Sequence, residues 1–245
     1  MRHWAWLIIV AVAAGGCSPT ASPEANSASN VPARDTPGGN EPTAESKEIP
    51  SALLTEGAQY MGLGNLQTLV YKSTTNETDN GEGTMSYRVS EVKDGEAIIE
   101  VTRDGSLAVM GSETMALKPD GLYTVTLGLG ELDKPLLQAP ADLAPGKKWE
   151  SSATVKQPTG ATLKMSQTFE AKTVEKVKVA AGEFDAIKVV ATLTIEQTDA
   201  TGKVTKSTGD ATAWFSKGIG LVKQVINLAG PQKQVITVEL IRQGS

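Results

Sequence analysis

Hydrophobic and polar residues alternate along much of the chain after residue 60. From Ile187 to Glu196 every odd-numbered residue is apolar, and most of the even-numbered ones are polar. The same period of two runs from Ala97 to Thr102 and from Ile236 to Leu240. Because successive side chains of a strand point to opposite faces of its sheet, this pattern is typical of antiparallel strands that bury one face. It predicts an all-β fold.

Turn signals separate the alternating segments at spacings of about 10 to 25 residues, which predicts a meander of roughly nine to eleven strands. A sheet of this size must curve to cover its apolar face, so we expect a single curved antiparallel sheet that forms a barrel or half-barrel. Only the segment from Ile49 to Tyr60 has helical periodicity, which predicts one short N-terminal helix. The turn signals are Asp94-Gly95, Asp104-Gly105, Asp120-Gly121, Pro145-Gly146, Thr159-Gly160, Ala181-Gly182, Thr201-Gly202 and Gly230-Pro231.

The first residues have the pattern of an export signal. Arg2 precedes an uncharged apolar run of 11 residues, from Trp4 to Ala14. A helix that spans a bilayer needs ~20 apolar residues, so this run is too short for a permanent membrane span. Small residues lie directly before Cys17, as at a signal-peptide cleavage site. Residues 1–16 are therefore predicted to be a signal peptide.

The segment that ends at Cys17 resembles the lipobox of bacterial lipoproteins, with Ala14 where that family usually has leucine. The resemblance implies attachment of a diacylglycerol to Cys17 and cleavage between Gly16 and Cys17. The membrane is then a partner of the chain through this lipid. Ser18 follows the cysteine, where an aspartate would resemble an inner-membrane retention signal. We therefore expect a cell-envelope protein, anchored in the outer membrane and facing the periplasm.

Residues 18–48 differ in composition from the rest of the chain. They contain no aromatic residue, and Val31 is their only aliphatic residue larger than alanine. Such a segment cannot bury enough apolar surface to offset the entropy of ordering, so we expect disorder. A flexible coil of this length reaches ~30 Å. The predicted organisation is a signal peptide at 1–16, a lipidated cysteine and disordered linker at 17–48, and a β-rich domain at 49–245.

Composition restricts the chemistry of the mature chain. His3, the only histidine, lies in the predicted signal peptide, and Cys17 is the only cysteine. Nucleophilic catalysis that relies on histidine is therefore excluded, and zinc, haem or iron–sulfur sites are not expected. Residues 49–245 carry 20 basic and 23 acidic residues without a basic stripe. We expect no metal, no cofactor and no nucleic-acid partner.

Four further segments, taken in order, resemble the TapB/DUF3108-like domains, a group of uncharacterised bacterial secreted proteins and lipoproteins. The resemblance covers most of residues 60–240 and implies a β-rich, barrel-like or half-barrel domain. It supplies no activity and no catalytic residues. Ala180 and Glu183 stand where the family usually has proline and threonine. The four segments are Gly62–Asn65, Pro145–Trp149, Val174–Val189 and Ala213–Lys223.

Four aromatic residues belong to these segments, namely Trp149, Phe184, Trp214 and Phe215. One interpretation is that they anchor the core at strand ends, which is the usual role of large aromatic side chains. The other is that they form the wall of an apolar ligand pocket.

Three functions are compatible with the sequence. The first is a non-catalytic envelope lipoprotein whose β domain binds or scaffolds an envelope protein or a polymer. The second is a carrier of lipid or another hydrophobic ligand, which needs a cavity of several hundred Å³. The third is a hydrolase that uses paired carboxylates, for example Asp142 with Glu150 or Glu170 with Glu175. We expect the first and do not expect an enzyme.

The lipid anchor can be tested directly. Replacing Cys17 with serine removes the predicted acylation site, so the Cys17→Ser chain should lose its membrane attachment. The Ser18→Ala chain serves as control and should keep it. Mass spectrometry of the native protein should find a chain that begins at a diacylglycerol-modified Cys17. Unchanged attachment of Cys17→Ser, or a native chain that retains residues 1–16, would contradict the prediction.

Overall fold

The computed structural model describes residues 46–229 and 233–244, together with two short N-terminal strands. These strands, β1 (Trp6–Leu7) and β2 (Val10–Ala11), pair with each other in antiparallel fashion. The predicted cleavage site, the lipidated cysteine and the linker up to residue 45 lie outside the described residues. The Gly230-Pro231 turn signal lies outside them as well.

Thirteen strands form one antiparallel sheet, which confirms the predicted all-β class and the curved sheet. The meander predicted from the turns had fewer strands. The difference is explained in part by β8, which has only two residues and so no alternation that a sequence can show. The strands are β3 (Leu69–Thr75), β4 (Thr78–Lys93), β5 (Glu96–Gly105), β6 (Glu113–Lys118), β7 (Gly121–Leu127), β8 (Glu131–Leu132), β9 (Leu136–Pro140), β10 (Lys148–Lys156), β11 (Thr162–Val179), β12 (Gly182–Thr198), β13 (Val204–Ser216), β14 (Gly220–Ala229) and β15 (Gln234–Gln243).

The strand order is β8-β10-β11-β12-β13-β14-β15-β3-β4-β5-β6-β7-β9. The last strand, β15, pairs with the first strand of the sheet, β3, so the chain starts in the middle of the sheet. The sheet curls until β9 lies near β10, but no ladder joins the two. Between them, the Asp133 carboxylate accepts a hydrogen bond from the Thr154 amide, and the Asp133 amide donates one to the Thr154 carbonyl. We call the gap between β9 and residues 148–152 of β10 the seam.

The inner face of the curved sheet forms the core. The alternation in β12 is observed as predicted, because Ile187, Ala191 and Ile195 are all buried on this face. Tyr71 of β3 is fully buried, and its hydroxyl donates a 2.9 Å hydrogen bond to the carbonyl of Leu221 on β14. Since β15 lies between these strands, this bond crosses the concave side of the sheet.

Several tight turns occur at the predicted glycine signals, whereas Asp104 and Gly105 end strand β5 and the turn follows them at residues 106–107. Asp94 and Gly95, between β4 and β5, both have positive φ, at 52° and 79°. A two-residue hairpin loop of this kind needs positive φ at both positions, which explains the Asp-Gly pair. Gly218, in the turn between β13 and β14, has a φ of 74°.

The helix at the N-terminal end is shorter than the predicted segment from Ile49 to Tyr60. A single 3₁₀ turn, Ser51–Leu53, is followed by the helix α1, Glu56–Tyr60. Thr55 has extended backbone geometry and separates the two, and its hydroxyl accepts a hydrogen bond from the Ala58 amide. The segment is therefore interrupted by a helix N-cap.

Helix α1 covers one end of the curved sheet, between β9 and the turn that joins β13 to β14. The Gly57 amide donates to the Ala141 carbonyl, and the Gly218 amide donates to the Gln59 carbonyl. Lys217, in the same turn, forms a 2.5 Å ion pair with Glu56. These contacts hold the helix against the end of β9 on one side and against the β13–β14 turn on the other.

Helix α1 approaches β9 so closely at Gly57 that only glycine fits there, which can be tested. A Cβ at this position would lie 2.1 Å from the Pro140 carbonyl oxygen, so Gly57→Ala forces the backbone apart. We expect a loss of about 1–3 kcal/mol in the free energy of unfolding, measured by urea denaturation. Gly64→Ala is the matched control, because a Cβ at Gly64 meets no atom within 4 Å. Equal unfolding midpoints for the two variants would contradict the packing.

Candidate functional site

A broad concavity lies on the outer, solvent-facing side of β10 to β13. It has a volume of about 620 Å³ and adjoins a second open groove of about 420 Å³ at the seam. The two share Glu150, Thr168 and Thr192, so they form one continuous depression, which we call the hydroxyl groove. Its other outward side chains are Lys148, Glu170, Val190, Asp210 and Thr212 in the first part, and Tyr123, Lys134, Pro135, Leu137, Ser152, Ser166 and Thr194 in the second.

Strand register builds the rows of hydroxyl groups that give the groove its name. Ser152, Ser166 and Thr194 lie opposite one another on three successive strands of the groove, and Thr208 continues the row on β13 beyond the groove lining. In the next row Thr168 lies opposite Thr192, with the two hydroxyl oxygens 2.5 Å apart. Neighbouring strands are separated by about 4.8 Å, so hydroxyl groups recur at this spacing across the face.

Charges of both signs border the hydroxyl rows. Asp210 accepts a 2.7 Å hydrogen bond from the Asn227 side chain. Glu170 forms a 2.6 Å ion pair with Lys172 and lies 4.0 Å from the Lys148 ammonium. The hydrogen bond from Lys172 lowers the pKa of Glu170 below its usual value. The groove surface is therefore polar and of mixed charge.

Two aromatic rings lie near the ends of the groove. Tyr123 lines the seam end, and its hydroxyl donates a 2.7 Å hydrogen bond to Asp120. Desolvation, reinforced by this hydrogen bond, raises the pKa of Tyr123 to about 12. At the other end Trp214 lies two residues beyond Thr212 on the same face of β13, and its indole nitrogen donates to Glu175.

A second pocket lies inside the curved sheet beneath the same strands. We call it the inner pocket, and its cavity is about 30 Å³. Trp149 and Phe169 form one wall as stacked rings, with centroids 4.9 Å apart and planes within 6°. The lining residues are Met61, Gln138, Ala139, Leu143, Trp149, Phe169, Val189, Ala191, Ala211, Ala213, Phe215 and Gln224.

The structure divides the four aromatic residues singled out from the sequence. It brings Trp149 and Phe215 together on the wall of the inner pocket. Phe184 and Trp214 are partly buried and pack against the edge of the core, and they do not line this pocket. The third pocket aromatic, Phe169, was missed. Its signal was present, because it shares the odd-numbered alternation of Leu163 and Met165 in β11.

The inner pocket also contains buried polar atoms that have no hydrogen-bond partner within the described residues. Both polar atoms of the Gln224 side chain and the indole nitrogen of Trp149 are in this state. A buried polar group without a partner costs about 1–3 kcal/mol of folding stability. Native proteins keep few such groups, so a cluster of them in one pocket indicates a hydrogen-bonding partner that the protein itself does not supply.

A buried ion pair connects to this pocket through hydrogen bonds. Arg103 and Glu113 pair at 2.7 Å with side chains only 1% and 4% exposed. Thr124 donates its hydroxyl to Glu113, and the Gln138 side-chain amide donates to Thr124 at 2.9 Å. Because Gln138 lines the inner pocket, a polar chain runs from the ion pair to the pocket wall. Beside the pair, burial raises the pKa of Tyr87 to about 12.

Three of the four carboxylates considered for hydrolysis bind a lysine or an indole. Asp142 forms a 2.7 Å ion pair with Lys147, Glu170 pairs with Lys172, and Glu175 accepts from Trp214. The hydrogen bonds from these two lysines lower the pKa of Asp142 and of Glu170. A general acid that works near neutral pH needs a raised pKa, so the geometry gives no support to the hydrolase hypothesis.

Two further properties concern only the part of the chain that the structure describes. It contains no cluster of three or more histidine, cysteine, aspartate or glutamate side chains suited to a metal ion. Within the same residues, no helix has the length and apolar character that a bilayer span requires.

Comparison with known proteins shows the fold. No protein-family model matches the chain, and no curated protein matches it. The crystal structure of a candidate lipoprotein from Parabacteroides distasonis is similar, with a TM-score of 0.52 and 16% identity over 74% of this chain and 95% of that one. A candidate exported protein from Bacteroides fragilis, described as having a YmcC-like fold, gives a TM-score of 0.49 and 14% identity over 74% and 96%. The hypothetical lipoprotein YmcC from Escherichia coli gives 0.29 and 11% over 77% and 89%.

The partly buried Tyr87 should make stability depend on pH in the alkaline range. Its pKa is about 12 in the folded protein, against about 10 in an unfolded chain. The native state favours the neutral phenol, so this contribution is complete below pH 10 and is lost as pH rises to 12. We expect a loss of roughly 2–3 kcal/mol in the free energy of unfolding over that interval.

Denaturation of the native protein and of Tyr87→Phe, measured between pH 9 and 12, tests this expectation. The variant has no phenol at this position, so its stability should fall less steeply. Tyr71 is present in both proteins and contributes equally to the pH dependence of their stability. Identical slopes for the two proteins would show that Tyr87 is not the responsible group.

Proposed function

We propose that this protein is a non-catalytic envelope lipoprotein, anchored by lipid on Cys17, whose β domain binds a glycan strand along the hydroxyl groove. The anchor, the outer-membrane location and the relation to the TapB/DUF3108-like domains rest on the sequence segments described above. The fold shared with a candidate lipoprotein is compatible with this proposal. A linker with a reach of ~30 Å would let the groove reach polymers that lie away from the membrane surface.

The observation that carries the proposal is the row of hydroxyl groups that crosses β10, β11 and β12 in the groove. A serine or threonine hydroxyl can both donate and accept, and so can every hydroxyl group of a sugar. A groove that offers such groups at a regular spacing suits a polymer of repeating sugar units. The Tyr123 ring at the seam end offers an apolar face for the C–H side of a sugar.

The inner pocket is too small for the lipid-carrier alternative. Drug-sized and larger ligands occupy pockets of roughly 300–1,000 Å³, whereas the inner pocket measures about 30 Å³. An apolar docking surface for a protein is also not favoured. The large apolar side chains that the described residues expose, Val109, Val174, Val204 and Val235, belong to four separate elements.

Blocking the groove tests the proposal. Thr192 lies in the part common to both halves of the groove, so Thr192→Lys places a long cationic side chain there. We expect at least a tenfold weaker binding, about 1.4 kcal/mol, to purified cell-wall sacculi in a sedimentation assay. Thr237→Lys, on β15 outside the groove, is the control with the same change of charge and should bind like the native protein.

Two results would contradict glycan binding. One is equal binding by Thr192→Lys and Thr237→Lys. The other is binding that disappears when peptide stems are removed from the sacculi, because the groove would then recognise a peptide. Removal of the lipid anchor should leave binding by the isolated protein unchanged, which separates the groove from the anchor.

A further inference from the structure

The inner pocket has the features of a built site that is separate from the hydroxyl groove. Gln224 is 1% exposed and Trp149 is 9% exposed, and their unpartnered polar atoms belong to side chains that line the same cavity. We propose that the inner pocket binds a small, uncharged molecule that carries an amide group on an apolar body.

The position of Gln224 explains why the protein itself provides no partner. Its side chain points inward from β14, between Val222 and Ile226. Opposite it on the neighbouring strands are Ala213 and Val238, which have no polar side-chain atoms. Neither opposite side chain can therefore pair with Gln224, which leaves its polar atoms available to a molecule inside the pocket.

The chemistry of the two polar side chains selects an amide. The carboxamide of Gln224 offers an N–H donor and a carbonyl acceptor side by side, whereas the Trp149 indole is a donor only. The N–H and carbonyl of an amide ligand complement both atoms of Gln224. Its carbonyl oxygen has a second lone pair that can accept from Trp149.

The lining of the pocket also restricts the charge of the ligand. No aspartate, glutamate, lysine or arginine is among its lining residues. An ionised group would be buried there without a counter-charge, which is strongly unfavourable. Carboxylate and ammonium ligands are therefore excluded from the proposal.

Small residues provide the room. Ala191 lies opposite Ala211, and both continue the row that begins with the stacked rings of Trp149 and Phe169. Other inward positions of β12 are occupied by larger residues, such as Leu193. The cavity of about 30 Å³ holds only a few heavy atoms. Met61, a flexible unbranched side chain on its wall, can move to admit a slightly larger body.

Nuclear magnetic resonance on the ¹⁵N-labelled full chain tests the proposal with acetamide as the probe. We expect a saturable shift of the Trp149 indole N–H and of the Gln224 side-chain amide. The Trp214 indole, on the outer face, is the internal control and should not move. Trp149→Phe and Trp214→Phe assign the two indole signals. Acetate, which has a similar size and a negative charge, should produce no saturable shift.

Variants separate binding from folding. Gln224→Leu puts an apolar side chain of similar size in place of the carboxamide and so removes both of its hydrogen bonds to the ligand. The variant should fold and should bind acetamide at least tenfold more weakly. Ala191→Val should weaken binding by filling the cavity. Ala153→Val is the matched control, because Ala153 is buried on the same face of the sheet and does not line the pocket.

Several results would overturn the proposal. They are the absence of a saturable shift at Trp149, a parallel shift of both indoles, equal affinity in Gln224→Leu, or equal loss in Ala153→Val and Ala191→Val. Thr192→Lys should leave acetamide binding intact, because it alters only the outer face. The two sites can therefore fail or succeed independently.

Discussion

The pairing of β15 with β3 is the contact on which the rest of the sheet depends. Strands β3 to β7 and β10 to β15 each pair mainly with their neighbours in sequence, so each half of the sheet is a meander in its own right. The ladder from Ile236–Thr75 to Gln243–Leu69 joins these halves into one surface. The Tyr71 hydroxyl, bonded to Leu221 of β14, fixes the same junction from the concave side. Both candidate sites need the continuous curvature that this junction creates.

The two sites use opposite faces of the same strands. Trp149 points into the inner pocket, whereas Glu150, the next residue of β10, points into the hydroxyl groove. Phe169 and Thr168 divide in the same way on β11. Because side chains alternate across a strand, a shift of β10 along the seam would alter both cavities at once. The seam is the natural place for such a shift, since no ladder joins β10 to β9 there.

Sequence periodicity predicted the strands and their buried faces well, because alternation is a local property that each strand carries by itself. The turn at Asp94-Gly95 was predictable for the same reason. The hydroxyl rows were not, since the alignment of Ser152 with Ser166 depends on register between strands. Trp149 and Phe215 were recognised as aromatic, but only the folded sheet shows that they meet Gln224. The inward direction of Gln224 could have been read from its neighbours Val222 and Ile226, whereas its lack of a partner could not.

The place where the predicted linker would join the domain determines how the domain would carry mechanical tension. The continuous described segment that starts at residue 46 lies beside β4, where the amide of Lys47 donates to the carbonyl of Val89 and the Ser46 hydroxyl accepts from the amide of Val89. The segment that follows leads into β3, which is hydrogen-bonded on both sides, to β15 and to β4. A pull from a membrane-anchored N-terminus would therefore act on the centre of the sheet. The unjoined edges at the seam lie on the far side, away from the line of force.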